Sequence, residues 1–261
     1  MTATNYALPE FSLRFVPIWR RNFLVWKKLA VASVLGNIAE PLITLVAFGY
    51  GLGSLLQKVD GIPYIQFLAS GSICMSIMMA ASFEALYSAF SRMHVQKTWD
   101  AMLNAPLDLD DVILAEMLWA ATKALISGVA ILLVIFMLGI GLHPQVLLVP
   151  PLLFLIGMTF ASLGLIMNAV ARGYDFFTYY FTLGMTPMIF VSGVYYPTAQ
   201  LPQWLQVVSK ALPLSAAVDL TRPLILGRWP STPLFDIAML AIYCVAGFYI
   251  ATILTRRRLL K

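Results

Sequence analysis

Long apolar stretches separated by short polar segments dominate this sequence. Six of them come close to the roughly twenty helical residues that cross a hydrocarbon core of about 30 Å. No charged residue lies between Lys123 and Arg172, and only a Gly- and Pro-containing turn divides that run, which predicts a tight helical hairpin. The predicted membrane spans are residues 32–56, 64–90, 112–139, 146–170, 176–196 and 233–255.

Two further regions depart from the pattern of spans. Residues 11–29 place aromatic side chains on one face and basic side chains on the other, which predicts an amphipathic helix along the membrane surface. The fifth span ends in Gly193-Val194-Tyr195-Tyr196-Pro197, and the apolar stretch that follows is cut by Pro213 and Pro223. That stretch cannot serve as a seventh span, and a segment that enters a membrane without crossing it usually lines a pathway.

Composition and charge fix the class of protein and its orientation. Hydrophobic residues make up 61% of the chain and charged residues 11%, which excludes a soluble domain. Most lysines and arginines fall in segments on one side of the predicted spans, so both termini are expected in the cytoplasm. The net charge of +5 then reflects orientation, and no nucleic-acid partner is predicted.

The ionisable residues inside the predicted spans are few and include Glu40 beside Pro41, Glu84, Glu116 and Lys123. Intramembrane charges are functional candidates by default, and Glu40 is a pathway candidate because Pro41 frees a backbone carbonyl nearby. Glu116 and Lys123 are seven residues apart and share a helical face. They form either a functional polar stripe or a set of ion pairs near the interface.

The loop after span two contains a second candidate, a short helix at residues 97–104. Trp99, Met102 and Leu103 share one of its faces. Such a helix either presents this face to a cytoplasmic partner or tucks it against the bilayer surface. Aromatic residues at the start of span five form either an interfacial belt or a ladder for stacking sugar rings, with Tyr174, Phe177 and Tyr180 as the candidates.

Common catalytic motifs are missing from the sequence. No phosphate-binding loop or nucleophile elbow occurs, and His94 and His143 are far apart. The chain is therefore predicted to be no enzyme and to bind no cofactor or metal. If it moves a solute actively, an ion gradient or another subunit must supply the energy.

These features together resemble the ABC-2 type permeases, the membrane subunits of bacterial ABC exporters, over essentially the whole chain. The resemblance is strongest to permeases that export nodulation-type lipo-oligosaccharides. It is carried by Asn37-Ile38-Ala39-Glu40-Pro41-Leu42, Phe48-Gly49-Tyr50-Gly51-Leu52-Gly53, the segment from Thr98 to Leu107, and the region of Tyr195-Tyr196-Pro197.

The resemblance implies an all-α membrane protein of the bacterial inner membrane that forms a homodimer. It further implies two separate ATPase subunits, which hold ATP and Mg²⁺, and an amphipathic glycolipid, lipo-oligosaccharide or polysaccharide as cargo. Residues 97–104 would be the helix that couples to the ATPase through Thr98, Trp99, Met102 and Leu103. Residues 200–227 would be periplasmic re-entrant helices.

The pathway and its gate are predicted at Glu40, Gly193, Tyr195, Tyr196 and Trp204. The competing hypothesis is a secondary transporter that is driven by an ion gradient through the intramembrane carboxylates. A third is a membrane anchor for a cytoplasmic partner, without transport activity.

Overall fold

A computed structural model describes residues 6–9, 12–56 and 58–259, apart from the side chain of Glu40. The described part is almost entirely helical. The helices are α1 (Phe15–Lys27), α2 (Ala30–Gly51), α3 (Tyr64–Phe83), α4 (Thr98–Leu103), α5 (Leu109–Met137), α6 (Val149–Val170), α7 (Asp175–Tyr179), α8 (Thr186–Val191), α9 (Gln203–Ala211), α10 (Pro213–Ile225) and α11 (Pro233–Leu259).

Five of the six predicted spans are confirmed as helices that are long and apolar enough to cross a membrane. They are Ala30–Ser54, Tyr64–Val95, Leu109–Met137, Pro144–Val170 and Pro233–Leu259.

The remaining predicted span, the fifth along the chain, ends earlier than expected. Its helix runs from Asp175 through a π-helical segment, Tyr180–Met185, and stops at Val191. The predicted end at 196 is wrong because Gly193 has φ +75°, in the left-handed region, which terminates the helix. The interrupted stretch after it forms the two short helices α9 and α10.

A two-stranded hairpin joins α2 to α3, within a stretch that the sequence pattern did not predict to be extended. Its strands β1 (Lys58–Val59) and β2 (Ile62–Pro63) are antiparallel. Asp60 and Gly61 between them both have positive φ, as a tight two-residue hairpin turn requires.

The spans differ in how deeply they are buried. In its most apolar window, α3 with its extension is 83% buried, whereas α2 is only 12% buried. The core therefore forms around α3, against which α5, α6 and α10 pack. The outer face of α2 is apolar and uncovered, with Leu35, Ile43 and Val46 more than half exposed.

The predicted amphipathic helix is present as α1, but it begins at Phe15 and its aromatic face is turned toward the protein. Trp19 donates a hydrogen bond from Nε1 to Thr122 Oγ1 of α5 at 3.1 Å. The rings of Phe23 and Trp26 lie edge-on against Trp119. The aromatic face of the helix therefore packs on α5, which supplies indole and hydroxyl partners for it.

The basic end of the bundle is the end that holds α1, α4 and the last turns of α11. There Arg256 binds Asp110 at the start of α5, and Arg258 donates to the backbone oxygens of Asn168 and Ala169 at the end of α6. These contacts join the ends of three spans. The opposite end holds the turn after α8, together with α9 and α10.

Candidate functional site

A π-helical segment in the second span sets up the first candidate site. The helix begun by α3 widens at Glu84–Ser88 and again at Ser91–Val95. Such widening leaves carbonyls without their usual partners and often marks functional positions. The Asn168 side chain donates from Nδ2 to the Ala85 carbonyl at 2.8 Å, and Gly164 allows α6 to approach, since a Cβ there would lie 2.9 Å from the Ala85 Cβ.

The widened helix directs two charged side chains toward α5, where they form the charge network of Glu84, Arg92, Glu116 and Lys123. Arg92 binds both carboxylates, with Nη2 3.0 Å from Glu84 Oε1 and 2.5 Å from Glu116 Oε2. Its Nε also donates to Glu116 Oε1 at 2.9 Å. Lys123 Nζ lies 2.7 Å from Glu84 Oε2.

Two indoles complete the network from either side. Trp119 Nε1 donates to Glu84 Oε1 at 2.9 Å, and Trp99 Nε1 donates to Glu116 Oε1 at 3.2 Å. Glu84 and Glu116 are 3% and 1% exposed, so both charges are desolvated. Their burial is tolerable because each carboxylate has a cation and an indole N–H as partners.

The network resolves the choice that the sequence left open for these residues. They form ion pairs near the basic end of the bundle: Arg92 binds Glu84 and Glu116, and Lys123 binds Glu84. Trp99 belongs to α4 and Trp119 contacts α1, so the network links the short loop helix to the amphipathic helix and to two spans. Its geometry suits transmission of a displacement between these elements.

The predicted helix in the loop after span two is present as α4, and its orientation corrects the prediction. Trp99 is 1% exposed and Met102 is 9% exposed. Leu103 packs against the core, and Thr98 is half-buried, with Oγ1 3.4 Å from Gln96 Oε1. The expectation that Trp99 and Met102 are displayed to the cytoplasm is wrong, because Glu116 offers the indole a buried acceptor.

The outer surface of α4 consists of other residues. Lys97, Asp100, Ala101 and Asn104 are exposed at the basic end. Lys97 has φ +49°, so the chain turns sharply into α4 and presents this polar face outward. A partner that binds α4 would meet these side chains directly and would act on Trp99 through the helix.

The second candidate site lies at the opposite end, where Arg222 of α10 holds the turn that follows α8. Its Nη2 donates to the Gly193 carbonyl at 2.7 Å, and its Nε donates to Ser70 Oγ at 3.2 Å. The guanidinium lies 3.7 Å from the centroid of the Phe67 ring. Burial lowers the pKa of Arg222 to about 10, which leaves the side chain protonated at neutral pH.

This turn carries three of the predicted gate residues. Gly193 is its left-handed residue, and Tyr196 is half-buried just beyond. The Tyr195 carbonyl accepts from Tyr64 Oη at 3.3 Å, and its ring lies near Phe48 of α2 and Phe190 of α8.

Trp204, the fourth, is placed differently. It is 67% exposed on α9, whose apolar face also shows Val207 and Val208. The structure therefore brings Gly193, Tyr195 and Tyr196 together and leaves Trp204 at the rim. Glu40 lies on α2 beside Pro41, but its side chain is outside the described part of the chain, so its predicted role stays a prediction.

A polar cavity of about 310 Å³ adjoins the turn at this end. Gly193, Thr198, Asp219 and Arg222 line it, together with Asp60 of the hairpin. Burial raises the pKa of Asp219. The cavity shows that the turn, α10 and the hairpin enclose polar space.

The predicted aromatic ladder is a packed cluster and not an open track. Phe177 is fully buried, with its ring 5.2 Å from those of Tyr87 and Phe90. Tyr174 is 40% exposed and stacks on Tyr87 at 5.9 Å. The candidacy of Phe177 as a sugar-stacking residue is wrong because its faces are occupied, whereas Tyr174 keeps an accessible edge and Tyr180 is half-buried.

Sequence reasoning missed the two arginines on which both sites depend. Arg92 and Arg222 entered it only as charges that set orientation. Arg92 could have been found, because it follows Glu84 by eight residues and so lies on roughly the same helical face. Arg222 gives no comparable local signal, since its acceptors, the Gly193 carbonyl and the Ser70 hydroxyl, are distant in sequence.

Comparison with known proteins adds an independent finding. A family model described as ABC-2 type transporter matches residues 14–226. A protein named Nodulation protein J from Rhizobium leguminosarum bv. trifolii is 46% identical over 259 residues, which cover 98% of this chain and 97% of that protein. Its namesake from Sinorhizobium fredii (strain NGR234) is 44% identical over 254 residues, 97% of each chain.

A more distant relative has the same extent. The inner membrane transport permease YadH from Escherichia coli (strain K12) is 23% identical over 241 residues, which cover 92% of this chain and 93% of that protein.

Proposed function

Because the chain belongs to the ABC-2 type transporter family, we propose that it is the permease of an exporter for an amphipathic lipo-oligosaccharide or a related glycolipid or polysaccharide. It is a multi-pass protein of the bacterial inner membrane. ATP hydrolysis takes place on a separate ATPase subunit, which holds ATP and Mg²⁺, and this chain supplies the transmembrane path. The choice of cargo rests on likeness to the nodulation proteins.

One observation supports the proposed mechanism: the inner face of α4 is hydrogen-bonded to the charge network, and its outer face is exposed. Trp99 on the inner side binds Glu116 of the charge network, while Asp100 and Ala101 face outward. An ATPase that docks on the outer face and shifts α4 moves the Glu116–Arg92 pair, and with it the second and third spans. This mechanism requires the face that bears α4 to be cytoplasmic, as the charge distribution predicts.

The exposed apolar face of α2 supports a homodimer. The outer side chains of α2 are apolar and uncovered, and Phe48 of this helix contacts Tyr195. An apolar surface that a second copy could cover therefore lies beside the gate turn. Two copies joined along α2 would then enclose a path between them, with the Gly193 turn on its periplasmic side. Movement of that turn, which Arg222 holds, would release cargo.

Reconstitution tests the proposal directly. Vesicles that contain the permease and a co-encoded or co-purifying ATPase are expected to accumulate a labelled lipo-oligosaccharide only with ATP. The variant Asp100→Arg reverses a charge on the outer face of α4 and is expected to abolish ATPase binding. Asp175→Arg, an exposed charge reversal at the same end, is the matched control and should bind normally.

A secondary transporter is the alternative that this experiment also addresses. Transport driven by a pH gradient without ATP, and lost in Glu40→Gln, would contradict the exporter proposal. The structure gives the alternative no support from Glu84 and Glu116, because both carboxylates are engaged by cations. A protein that only anchors a partner would leave cargo distribution unchanged when it is removed from cells.

A further inference from the structure

A second polar cavity, of about 180 Å³, lies between α1 and the charge network. It has many times the space that one buried water molecule needs. Three cationic side chains line it, Arg21, Arg92 and Lys123, against the single carboxylate of Glu84. Glu116 also binds Arg92 but does not line the cavity. The walls therefore carry an excess of positive charge.

Of the three cations that line the cavity, Arg21 is the one that forms no ion pair with a carboxylate in the described part of the chain. Its only described hydrogen bond is from Nη1 to the Oδ1 of the neighbouring Asn22, at 3.1 Å. Burial lowers the pKa of Arg21, the nearby positive charge of Arg92 lowers it further, and the more distant carboxylate of Glu116, which forms no ion pair with Arg21, offsets this only in part. Two guanidinium groups brought together inside a cavity favour an anion between or beside them.

A buried donor without a partner points the same way. Asn22 is 4% exposed and lines the cavity, and its Nδ2 has no hydrogen-bond acceptor in the described part of the chain. Burying an N–H group without an acceptor lowers the stability of the fold by about 1–3 kcal/mol, so such groups usually donate to a bound molecule. Together with Arg21, this amide gives the wall unused hydrogen-bond donors, and a single anionic acceptor would satisfy both residues.

The mouth of the cavity is suited to an amphipathic ligand. Val25, which lines it, is 58% exposed, and its neighbour Leu24 is 51% exposed. Lys27 and Lys28 follow at the end of the helix and are exposed as well. An apolar rim beside a cationic interior accommodates a charged head group inside and acyl chains outside.

We infer that this cavity binds the phosphate group of an anionic phospholipid from the leaflet at the basic end. Arg21 and the Asn22 amide donate to the phosphate oxygens, and Arg92 and Lys123 add positive charge from the network. Val25 and Leu24 contact the acyl chains. Because Arg92 and Lys123 also bind Glu84, occupancy of the cavity is coupled to the network that carries Trp99.

Binding of lipid to the purified full-length chain tests this inference without nucleotide or ATPase, so its outcome is independent of the transport proposal. The chain is held in phosphatidylcholine nanodiscs that contain increasing phosphatidylglycerol, and bound lipid is counted by native mass spectrometry. Arg21→Gln is expected to weaken the tightest phosphatidylglycerol site at least tenfold, as expected for lost hydrogen bonds to a charged group. Arg20→Gln removes an exposed charge from the adjacent position and is expected to leave it unchanged.

A second variant keeps the test decisive if Arg21→Gln does not fold. Asn22→Asp preserves shape and gives Arg21 a carboxylate partner, so it is expected to displace the lipid by a similar factor. Equal weakening by Arg20→Gln and Arg21→Gln would overturn the inference and indicate attraction to the surface alone. Full displacement of the bound phosphatidylglycerol by inorganic phosphate in the mixed nanodiscs would overturn the lipid assignment and indicate a site for a free anion.

Discussion

Arg92 and Arg222 are both largely removed from solvent, but the protein satisfies them in different ways. Arg92 lies between two carboxylates on separate helices, Glu84 and Glu116. Arg222 binds the backbone carbonyl of Gly193 and lies over the Phe67 ring. The first arrangement joins side chains of two spans, and the second fixes the backbone of one turn.

This difference indicates what each end of the molecule can do. A network of paired charges has alternative partners at hand, so a small movement of α4 can redistribute the contacts of Arg92 among them. A turn held by an arginine fork has no such alternative, and it either keeps its hydrogen bonds or opens. In the proposed exporter, the basic end would therefore transmit movement, and the turn at the opposite end would be a gate with two positions.

The largest expected effect comes from Glu116→Ala in the charge network. It leaves Arg92 with one carboxylate, removes the acceptor of Trp99 and leaves uncompensated charge in a buried site. The free energy of unfolding should fall by about 3–5 kcal/mol, measured by reversible denaturation in detergent. Asp100→Ala, which removes an exposed carboxylate from the same loop, should change it by less than about 0.5 kcal/mol.

If Glu116→Ala costs no more than Asp100→Ala, the network does not hold the basic end together.

A smaller effect is expected from Arg222→Lys at the opposite end. Lysine keeps the positive charge but cannot reproduce the planar fork that reaches Gly193 and Ser70 together. Loss of a charge-assisted hydrogen bond of about 2 kcal/mol should leave the turn poorly held in its closed position. Cargo should then leak back, and the initial rate of net export into vesicles should fall at least tenfold. Binding of the ATPase should be unchanged. Arg228→Lys, at an exposed position of the same end, is the control, and equal rates for the two variants would contradict a gate held by Arg222.

The smallest of these effects is expected from Gly193→Ala. The left-handed conformation at φ +75° costs a residue with a Cβ about 1–2 kcal/mol, and the added methyl would lie 3.0 Å from Thr198 Cγ2. The turn should open more readily and close less completely, so cargo should leak back through the gate and net export should slow several-fold, as measured in the same vesicles. Gly173→Ala adds a methyl into open space and should have no effect. Equal slowing by both variants would show that the turn does not depend on its left-handed residue.

The sequence predicted most of the architecture because length and apolarity alone decide whether a helix can cross a membrane. The turn between α5 and α6 was also predictable, since Gly139 and Gly141 both take positive φ there. The early end of the fifth span was not, because Val194 and Tyr195 are as compatible with a helix as with a buried turn. The left-handed conformation of Gly193 and the bond from Arg222 to its carbonyl are what distinguish the turn from a continued helix.

The candidate sites were predictable in part, for a related reason. Periodicity placed Trp99, Met102 and Leu103 on one face of a helix, which the structure confirms, but periodicity does not say whether a face turns inward or outward. The answer depends on Glu116 and on the π-helical widening at Glu84, and both are matters of tertiary contact.

The central claim is that Trp99 passes the movement of α4 to the spans through Glu116. A double-mutant cycle of Trp99→Phe and Glu116→Gln, measured as cargo-stimulated ATP hydrolysis by the permease–ATPase complex, tests it most directly. We predict a coupling energy of at least about 1 kcal/mol between the two changes, because Trp99→Phe removes the donor of this hydrogen bond and Glu116→Gln replaces its charged acceptor with a weaker neutral one. Trp19→Phe, which removes an indole N–H that binds Thr122 instead, should combine with Glu116→Gln additively. Additive effects of Trp99→Phe and Glu116→Gln would contradict the claim.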